Sequence, residues 1–204
     1  MIEKVSAFIL RPGSSGSEIL VLEHPYAGLQ IPAGTVEAGE SSDAAVLREI
    51  QEETGLRNIE IVQKIGEDQT FTEADEAILT QTMRCFSWPA QTAQRTGPLF
   101  TRGIRMKIFE RKVGFTHINY EEYDLNLKTP KLIEKVDGWL PSNFLTHEIQ
   151  RHYYIIQVLE ETQETWSHFA DRGLTFQMRW VPLNPKPNLI SEQLKWLDYL
   201  NKWE

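Results

Sequence analysis

The first part of the chain alternates between short apolar stretches and turn-forming residues, a pattern that predicts a β-hairpin. Residues 3–10 and 18–23 are rich in Val, Ile, Leu and Phe, whereas residues 12–16 read Pro-Gly-Ser-Ser-Gly. Apolar runs of this length, bounded by Gly, Pro and Ser, are typical of strands joined by turns. We therefore expect two paired strands, followed by a loop over residues 24–33.

Helix-forming signals come next and predict a helix from about residue 42 to residue 54. Side-chain oxygens that can cap its first turn stand on Ser41, Ser42 and Asp43. Apolar residues at helical spacing are expected to form its buried stripe: Ala44, Leu47 and Ile50. Gly55 follows at the position where a left-handed C-terminal cap is favoured.

The same helix carries three glutamates on one face, Glu49, Glu52 and Glu53, related by steps of three and four residues. Like charges at this spacing repel each other, and a hard cation such as Mg²⁺, which favours carboxylate oxygens, relieves the repulsion. Most acidic helix faces are simply solvated. Here Arg48 can pair with Glu52 and with Glu40, and these pairings favour a cation-binding site over a solvated acidic face.

The rest of the pattern predicts further strands on both sides of an irregular middle. Residues 58–65 and 78–88 are predicted as strands, and the polar, acidic residues 66–77 between them as a loop. Residues 152–159 and 174–183 are rich in aromatic and branched side chains, which also favours strands.

A closing amphipathic helix is predicted at the C-terminal end. Residues 184–187 read Asn-Pro-Lys-Pro and break the chain. Leucines then recur at helical spacing: Leu189, Leu194, Leu197 and Leu200. Trp196 and Trp203 are expected to pack in the core there, rather than to form a base-stacking surface.

The middle of the chain, residues 97–146, alternates between apolar and polar residues over 104–109 and again over 116–120. It ends in GWLPSNFLT, residues 138–146, which looks like the late strand and short helical turn of Src-homology-type small β-barrels. The alternative is an elaborated hairpin or loop. Aromatic residues could line a peptide groove or fill a small core: Tyr120, Tyr123 and Trp139. We favour a structural role for this segment.

Composition and charge narrow the class of protein. Of the 204 residues, 41 % are hydrophobic, which is enough for a packed core, and the net charge of −8 argues against nonspecific nucleic-acid binding. Cys85 is the only cysteine, so neither an internal disulfide nor a cysteine metal cluster is expected. The apolar run from Val5 to Leu10 is too short for a signal peptide or a membrane span, so we expect a cytoplasmic protein without a membrane partner.

Residues 34–56 read GTVEAGESSDAAVLREIQEETGL and fit the pattern G-x5-E-x7-R-E-U-x-E-E-x-G-U, where U is a bulky apolar residue. The matching positions are Gly34, Glu40, Arg48, Glu49, Ile50, Glu52, Glu53, Gly55 and Leu56. This pattern is the signature of the Nudix family, which the chain therefore resembles. Members of that family mostly hydrolyse a nucleoside diphosphate linked to another group, and they use a divalent metal.

The resemblance implies that three glutamates bind Mg²⁺ or Mn²⁺ and act in catalysis: Glu49, Glu52 and Glu53. Of these, Glu49 would be a ligand or a base. The carbonyl of Gly34 would complete the metal shell, while Glu40 and Arg48 would hold the loop on the helix. Some family members take a base from outside this motif, and the acidic candidates here are Glu73, Asp75, Glu76, Glu121, Glu122, Glu161 and Glu164.

The resemblance also implies the fold, an α/β sandwich of the α+β class in which a mixed sheet lies between helices. We expect residues 1–96 and 147–204 to form this domain, and residues 97–146 to be a small all-β insert. Since fold does not fix function, two functions stay open.

The first is a metal-dependent hydrolase that cleaves the diphosphate linkage of a nucleoside diphosphate linked to another moiety, a nucleotide-type small molecule. The second is a noncatalytic ligand sensor whose insert contacts a protein partner. The motif keeps every glutamate, which favours the enzyme. A symmetric dimer would be ordinary for such a protein. The residues do not identify the substrate.

Overall fold

Strands make up most of the regular structure in the computed structural model, which describes residues 1–14, 16–170 and 173–202. The strands are β1 Ile2–Gly13, β2 Gly16–His24, β3 Gly28–Gln30, β4 Ala33–Thr35, β5 Ile59–Phe71, β6 Glu76–Leu79, β7 Met83–Phe86, β8 Arg95–Phe100, β9 Arg105–Lys112, β10 Phe115–Asp124, β11 Lys131–Pro141, β12 Leu145–Thr146, β13 Glu148–Val158, β14 Thr165–Phe169 and β15 Thr175–Pro182. The helices are α1 Ser42–Thr54 and α2 Ser191–Trp196, with 3₁₀ segments at Ser142–Phe144 and Leu197–Lys202.

The chain divides into two compact units. The sandwich unit comprises Lys4–Asp68 and Arg151–Glu204, and the middle unit comprises Met1–Glu3 and Gln69–Gln150. The assignment of residues 97–146 to an inserted small barrel stays a prediction. The unit that contains those residues is larger than the predicted insert.

The sandwich unit is built on a sheet with the strand order β14-β15-β2-β1-β13-β5, to which β3 and β4 add at β2 and β1. Successive side chains of a strand point to opposite faces of its sheet. In β1, Ala7 and Ile9 pack in one cluster with Ile50 of α1. Phe8 packs in a second cluster with Trp196 of α2 and Leu197. Each face of the sheet is therefore covered by helical structure, and the predicted α+β class, with a mixed sheet between helices, is confirmed.

The middle unit is built on a second sheet, with the strand order β12-β6-β9-β10-β11-β7-β8. The long hairpin of β10 and β11 is antiparallel, with Ile118 opposite Gly138. A separate apolar cluster fills the unit: Leu79, Cys85, Phe100, Met106, Ile118, Val136 and Leu140. The segment 138–146 forms the end of β11, a 3₁₀ turn and β12, so a late strand and a short helical turn are present there. Trp139 and Tyr120 pack partly buried, whereas Tyr123 is exposed.

Three local predictions are wrong. The predicted loop 24–33 contains β3, whose backbone pairs with β2. This strand could not be predicted because its three residues show no apolar alternation. The predicted loop 66–77 is wrong over its first part, because β5 runs on to Phe71; most of this strand is solvent-exposed, so its polar composition reflects exposure. The predicted strand 78–88 is two short strands, β6 and β7, separated at residues 80–82.

The predicted closing helix is also shorter than its leucine pattern suggests. Leu189 lies before α2, and a 3₁₀ segment replaces the α-helix from Leu197 onward. Trp196 is buried, as predicted, and its ring lies under the guanidinium of Arg151. Trp203 lies outside the described residues. None of the helices in the described ranges is both long and apolar enough to cross a membrane.

The buried Cys85 gives a test of the middle unit. Its side chain has 0 % exposure, and burial raises the pKa of its thiol to about 11. Because the thiolate is the reactive form, we expect the native protein at pH 8 to react with Ellman's reagent at least about a hundredfold more slowly than the unfolded chain. The native rate should rise with pH towards that pKa. Equal rates in buffer and in denaturant would contradict the burial of this thiol.

Candidate metal and catalytic site

Local signals and packing together fix α1, the helix that carries the three glutamates. The hydroxyl of Ser41 accepts from the backbone N–H of Ala44 at 3.2 Å, and Gly55 takes the left-handed cap with φ of 79°. The predicted helix limits are confirmed. The buried stripe differs, because Ala44 is exposed and the buried residues are Ala45, Val46, Ile50 and Thr54.

Two long-range contacts, which local sequence does not reveal, hold the ends of this helix. The hydroxyl of Tyr154 contacts Ser42 and Asp43 at the first turn, each at 2.8 Å. At the other end, the indole N–H of Trp166 donates to the carbonyl of Thr54 at 2.8 Å. Both aromatic residues belong to strands of the sheet, so the sheet itself sets the position of the glutamate face.

The short strand β4 runs beside this face and meets two of the glutamates. It pairs antiparallel with β1, Gly34 lying opposite Val5. The backbone N–H of Ala33 donates to Oε2 of Glu53 at 3.0 Å, and the N–H of Thr35 donates to Oε1 of Glu49 at 3.1 Å. The two carboxylates, one helical turn apart, are therefore bound to amides on either side of Gly34.

Gly34 is required by this close approach. A Cβ built on Gly34 would lie 1.9 Å from Cδ of Glu49 and 2.0 Å and 2.2 Å from its two oxygens. Any side chain here would collide with the carboxylate. The reason for the first glycine of the motif is thus steric: it leaves room for Glu49 against the strand.

Arg48 contacts the other acidic residues of the motif. Its Nε donates to Oε1 of Glu40 at 2.9 Å, and its Nη1 lies 3.0 Å from Glu49 and 2.9 Å from Glu52. Its Nη2 donates to the carbonyl of Thr35 at 3.0 Å, which ties the loop to the helix. The predicted pairing of Arg48 with Glu40 and Glu52 is therefore present.

The charges of the site are unbalanced. Burial, followed by the charge of Glu49, raises the pKa of Glu53 well above its ordinary value, although the amide of Ala33 opposes this. Burial also raises the pKa of Glu49, against the lowering effect of Arg48. By contrast, hydrogen bonds from Arg48 lower the pKa of Glu40. The site thus holds four carboxylates and one guanidinium, which contacts three of them, and the local deficit of positive charge would be relieved by a cation.

The donor set fits a hard divalent cation only in part. Carboxylate oxygens are the ligands that Mg²⁺ favours, and Glu49 and Glu53 converge on the backbone at Gly34. Glu49 and Glu52, however, are both held by Nη1 of Arg48. Among the described residues, no group of three or more His, Cys, Asp and Glu is assembled as a metal site. A cation bound by all three glutamates would therefore have to compete with Arg48 for Glu49 and Glu52.

The candidate bases outside the motif divide between the units. Glu161 and Glu164 belong to the sandwich unit, and Glu164 pairs with Arg11 at 2.6 Å. The others belong to the middle unit: Glu73, Asp75, Glu76, Glu121 and Glu122. Of these, Glu121 pairs with Lys135 at 2.7 Å and Glu76 with Arg105 at 3.6 Å. The choice of an additional base stays open.

Removing Arg48 should destabilise the sandwich unit. The side chain of Arg48 is 29 % exposed, so its ion pairs are intermediate between surface and buried pairs. We therefore expect Arg48→Met to lower the unfolding free energy by about 1–3 kcal/mol in chelator. Urea unfolding would measure this. The control is Arg179→Met, since Arg179 pairs with Glu23 only at the surface, at 3.4 Å. Equal losses of unfolding free energy in the two variants would show that the contacts of Arg48 stabilise the unit no more than a surface ion pair does.

The segment that forms this site matches a known domain. Residues 3–100, just under half of the 204 residues, match the family model of the NUDIX domain. No curated protein matches the chain.

Solved structures show weak similarity over nearly the whole chain. Caenorhabditis elegans Ap4A hydrolase aligns with a TM-score of 0.46 and 13 % identity, covering 100 % of this chain and 96 % of that one. A binary complex of C. elegans Ap4A hydrolase gives 0.47 and 14 %, with 100 % and 95 % covered. A NUDIX hydrolase from Nitrosomonas europaea gives 0.38 and 16 %, with 98 % and 90 % covered. Similarity this weak assigns no substrate to the chain.

Proposed function

We propose that this protein is a Nudix-type hydrolase that cleaves the diphosphate linkage of a nucleoside diphosphate linked to another moiety, with Mg²⁺ or Mn²⁺. The observation that carries the proposal is the convergence of Glu49 and Glu53 on the backbone around Gly34. Burying two like charges against a strand costs stability, so a structural role alone gives little reason for the arrangement. The complete motif and the NUDIX-domain match over residues 3–100 support the same function.

In this proposal each residue of the motif has a task. Glu52 and Glu53 would hold the cation, and Glu49 would be either a third ligand or the base. Arg48 and Glu40 position the loop, through the bonds of Arg48 to Glu40 and to the carbonyl of Thr35. When bound, the cation would neutralise the diphosphate and lower the pKa of a coordinated water.

The charge of the protein supports a role for the cation in substrate binding as well. The net charge is −8, and the site itself is acidic, so an anionic diphosphate would be repelled from the bare protein. We therefore expect substrate affinity, and not only the rate of hydrolysis, to depend on the divalent metal.

Hydrolysis of a panel of nucleoside diphosphate compounds would test the proposal. The panel would be run with Mg²⁺, with Mn²⁺ and with chelator, using wild type and Glu53→Gln. Glu60→Gln is the matched control, because Glu60 is an exposed glutamate on β5. Turnover that needs both the metal and Glu53, and that survives Glu60→Gln, is expected. Metal binding without turnover of any compound would favour the noncatalytic sensor and its protein partner instead.

A further inference from the structure

An open cleft of about 420 Å³ lies beside the motif helix, within the sandwich unit. Its lining includes Arg48, Glu52, Gly55, Arg57, His168 and Phe169. Arg48 and Glu52 place one end of the cleft at the carboxylate cluster. The other end is formed by residues that have no task in the proposed hydrolysis.

The nitrogen donors at that far end, on Arg57 and His168, differ from Arg48 in their bonding. Arg48 is occupied by three carboxylates and a carbonyl. Arg57 has an exposed side chain, and its charge helps to lower the pKa of the nearby Glu160, after the backbone N–H groups that Glu160 accepts from. Within the described ranges, however, neither the guanidinium of Arg57 nor the ring of His168 makes a hydrogen bond or a close ion pair with another side chain. Both groups can therefore donate to a ligand.

The backbone around these two residues is well anchored. Oε1 of Glu160 accepts from the backbone N–H groups of Arg57 and Asn58, each at 2.9 Å. His168 lies in β14 opposite Phe176 of β15, and a Cβ on Gly55 would lie 2.7 Å from its Nδ1. A backbone held by hydrogen bonds and strand pairing favours recognition, since less ordering is needed on binding.

We propose that Arg57 and His168 bind a phosphate group of the substrate that lies beyond the cleaved diphosphate. This inference rests on the proposed function, because the carboxylate cluster at the near end of the cleft would hold the diphosphate. Glu52 borders the cleft and repels anions, which places the additional phosphate at the far end. The side chain of Phe169, 71 % exposed, offers an apolar surface to the group that carries this phosphate.

A structural alternative makes a different prediction. Cations are stabilised near the carboxyl end of a helix, and Arg57 follows closely on the end of α1 at Thr54. If this were the only role of Arg57, Arg57→Gln would lower the unfolding free energy and leave phosphate affinity unchanged.

Binding of inorganic pyrophosphate to the chelator-treated wild-type protein tests the site without hydrolysis. The probe is the NMR signal of the His168 ring, which is assigned by its loss in His168→Gln. We expect a saturable shift with pyrophosphate and with adenosine 5′-monophosphate, and none with adenosine. Arg57→Gln should lower the affinity for pyrophosphate about tenfold, which corresponds to the loss of one exposed charge-assisted hydrogen bond. Arg179→Gln, which removes the same charge elsewhere in the unit, should change the affinity little.

Kinetics with metal provide the second readout. For a compound that carries the further phosphate, Arg57→Gln should raise KM while kcat changes little. For a compound without that phosphate, Arg57→Gln should change neither KM nor kcat. An unmoved His168 signal, or equal weakening by Arg57→Gln and Arg179→Gln, would overturn the phosphate site. Failure of the proposed hydrolysis would look different, because no compound would be turned over while pyrophosphate still shifted His168.

Discussion

Glu53→Gln is expected to lower kcat by about 10²–10⁴, the range typical of a positioned acid–base group, and to weaken binding of the divalent metal. The amide keeps the size of the side chain, and its oxygen can still accept from the N–H of Ala33. What it loses is the negative charge beside Glu49. Steady-state kinetics and metal titration by calorimetry would measure the two effects.

The same substitution should raise stability in chelator, which separates loss of function from loss of fold. The pKa of Glu53 is raised in the folded state, so the folded state binds the proton more tightly than the unfolded chain does. Ionisation of Glu53 therefore destabilises the protein as pH rises above its unfolded pKa. Glu53→Gln removes this penalty, so its Tm should exceed that of wild type at pH 8, and the difference should shrink towards pH 4.

Two results would contradict the assignment of Glu53. Full activity would exclude a role in catalysis, whatever the change in stability. A lower Tm at pH 8 in chelator would show that the ionised carboxylate stabilises the fold, so that any loss of activity could be structural. Glu60→Gln, which changes an exposed glutamate of the same unit, should alter neither kcat nor Tm appreciably.

The limits of the helix of the site, about 42 to 54, could be predicted because the signals for its ends are local. Ser41 and Gly55 flank the segment that they cap, and the structure has α1 at Ser42–Thr54, although the predicted stripe included the exposed Ala44. Two partners of Arg48 could be predicted for the same reason, since Glu40 and Glu52 lie within eight residues of it, whereas its bonds to Glu49 and to the carbonyl of Thr35 were not predicted.

The remaining features depend on residues that meet only in the folded chain. Tyr154 and Trp166 contact α1 across 111 or 112 residues of sequence, and no local pattern marks them. The second half of β5 could not be predicted for another reason. Its side chains are mostly exposed, so burial imposes no apolar alternation on them. The same holds for β3, whose three residues are held by backbone pairing with β2.

Gly34→Ala is expected to lower activity by about 10²-fold, because a displacement of roughly 1 Å in a catalytic group is enough for such a loss. The added methyl would occupy the space of the Glu49 carboxylate. The carboxylate must move or the strand must shift, and overpacking of this kind costs about 1–3 kcal/mol of unfolding free energy. Kinetics and urea unfolding of the variant would measure both effects.

A double-mutant cycle with Glu49→Ala identifies the cause of this loss. If the methyl acts by displacing Glu49, then Gly34→Ala should cost little stability once Glu49 has been shortened, because the colliding atoms are absent. If Gly34 is needed for its backbone conformation instead, the cost should be the same in both backgrounds. A non-additive cycle would therefore support close approach of Glu49 to the strand as the reason for this glycine, and an additive one would refute it.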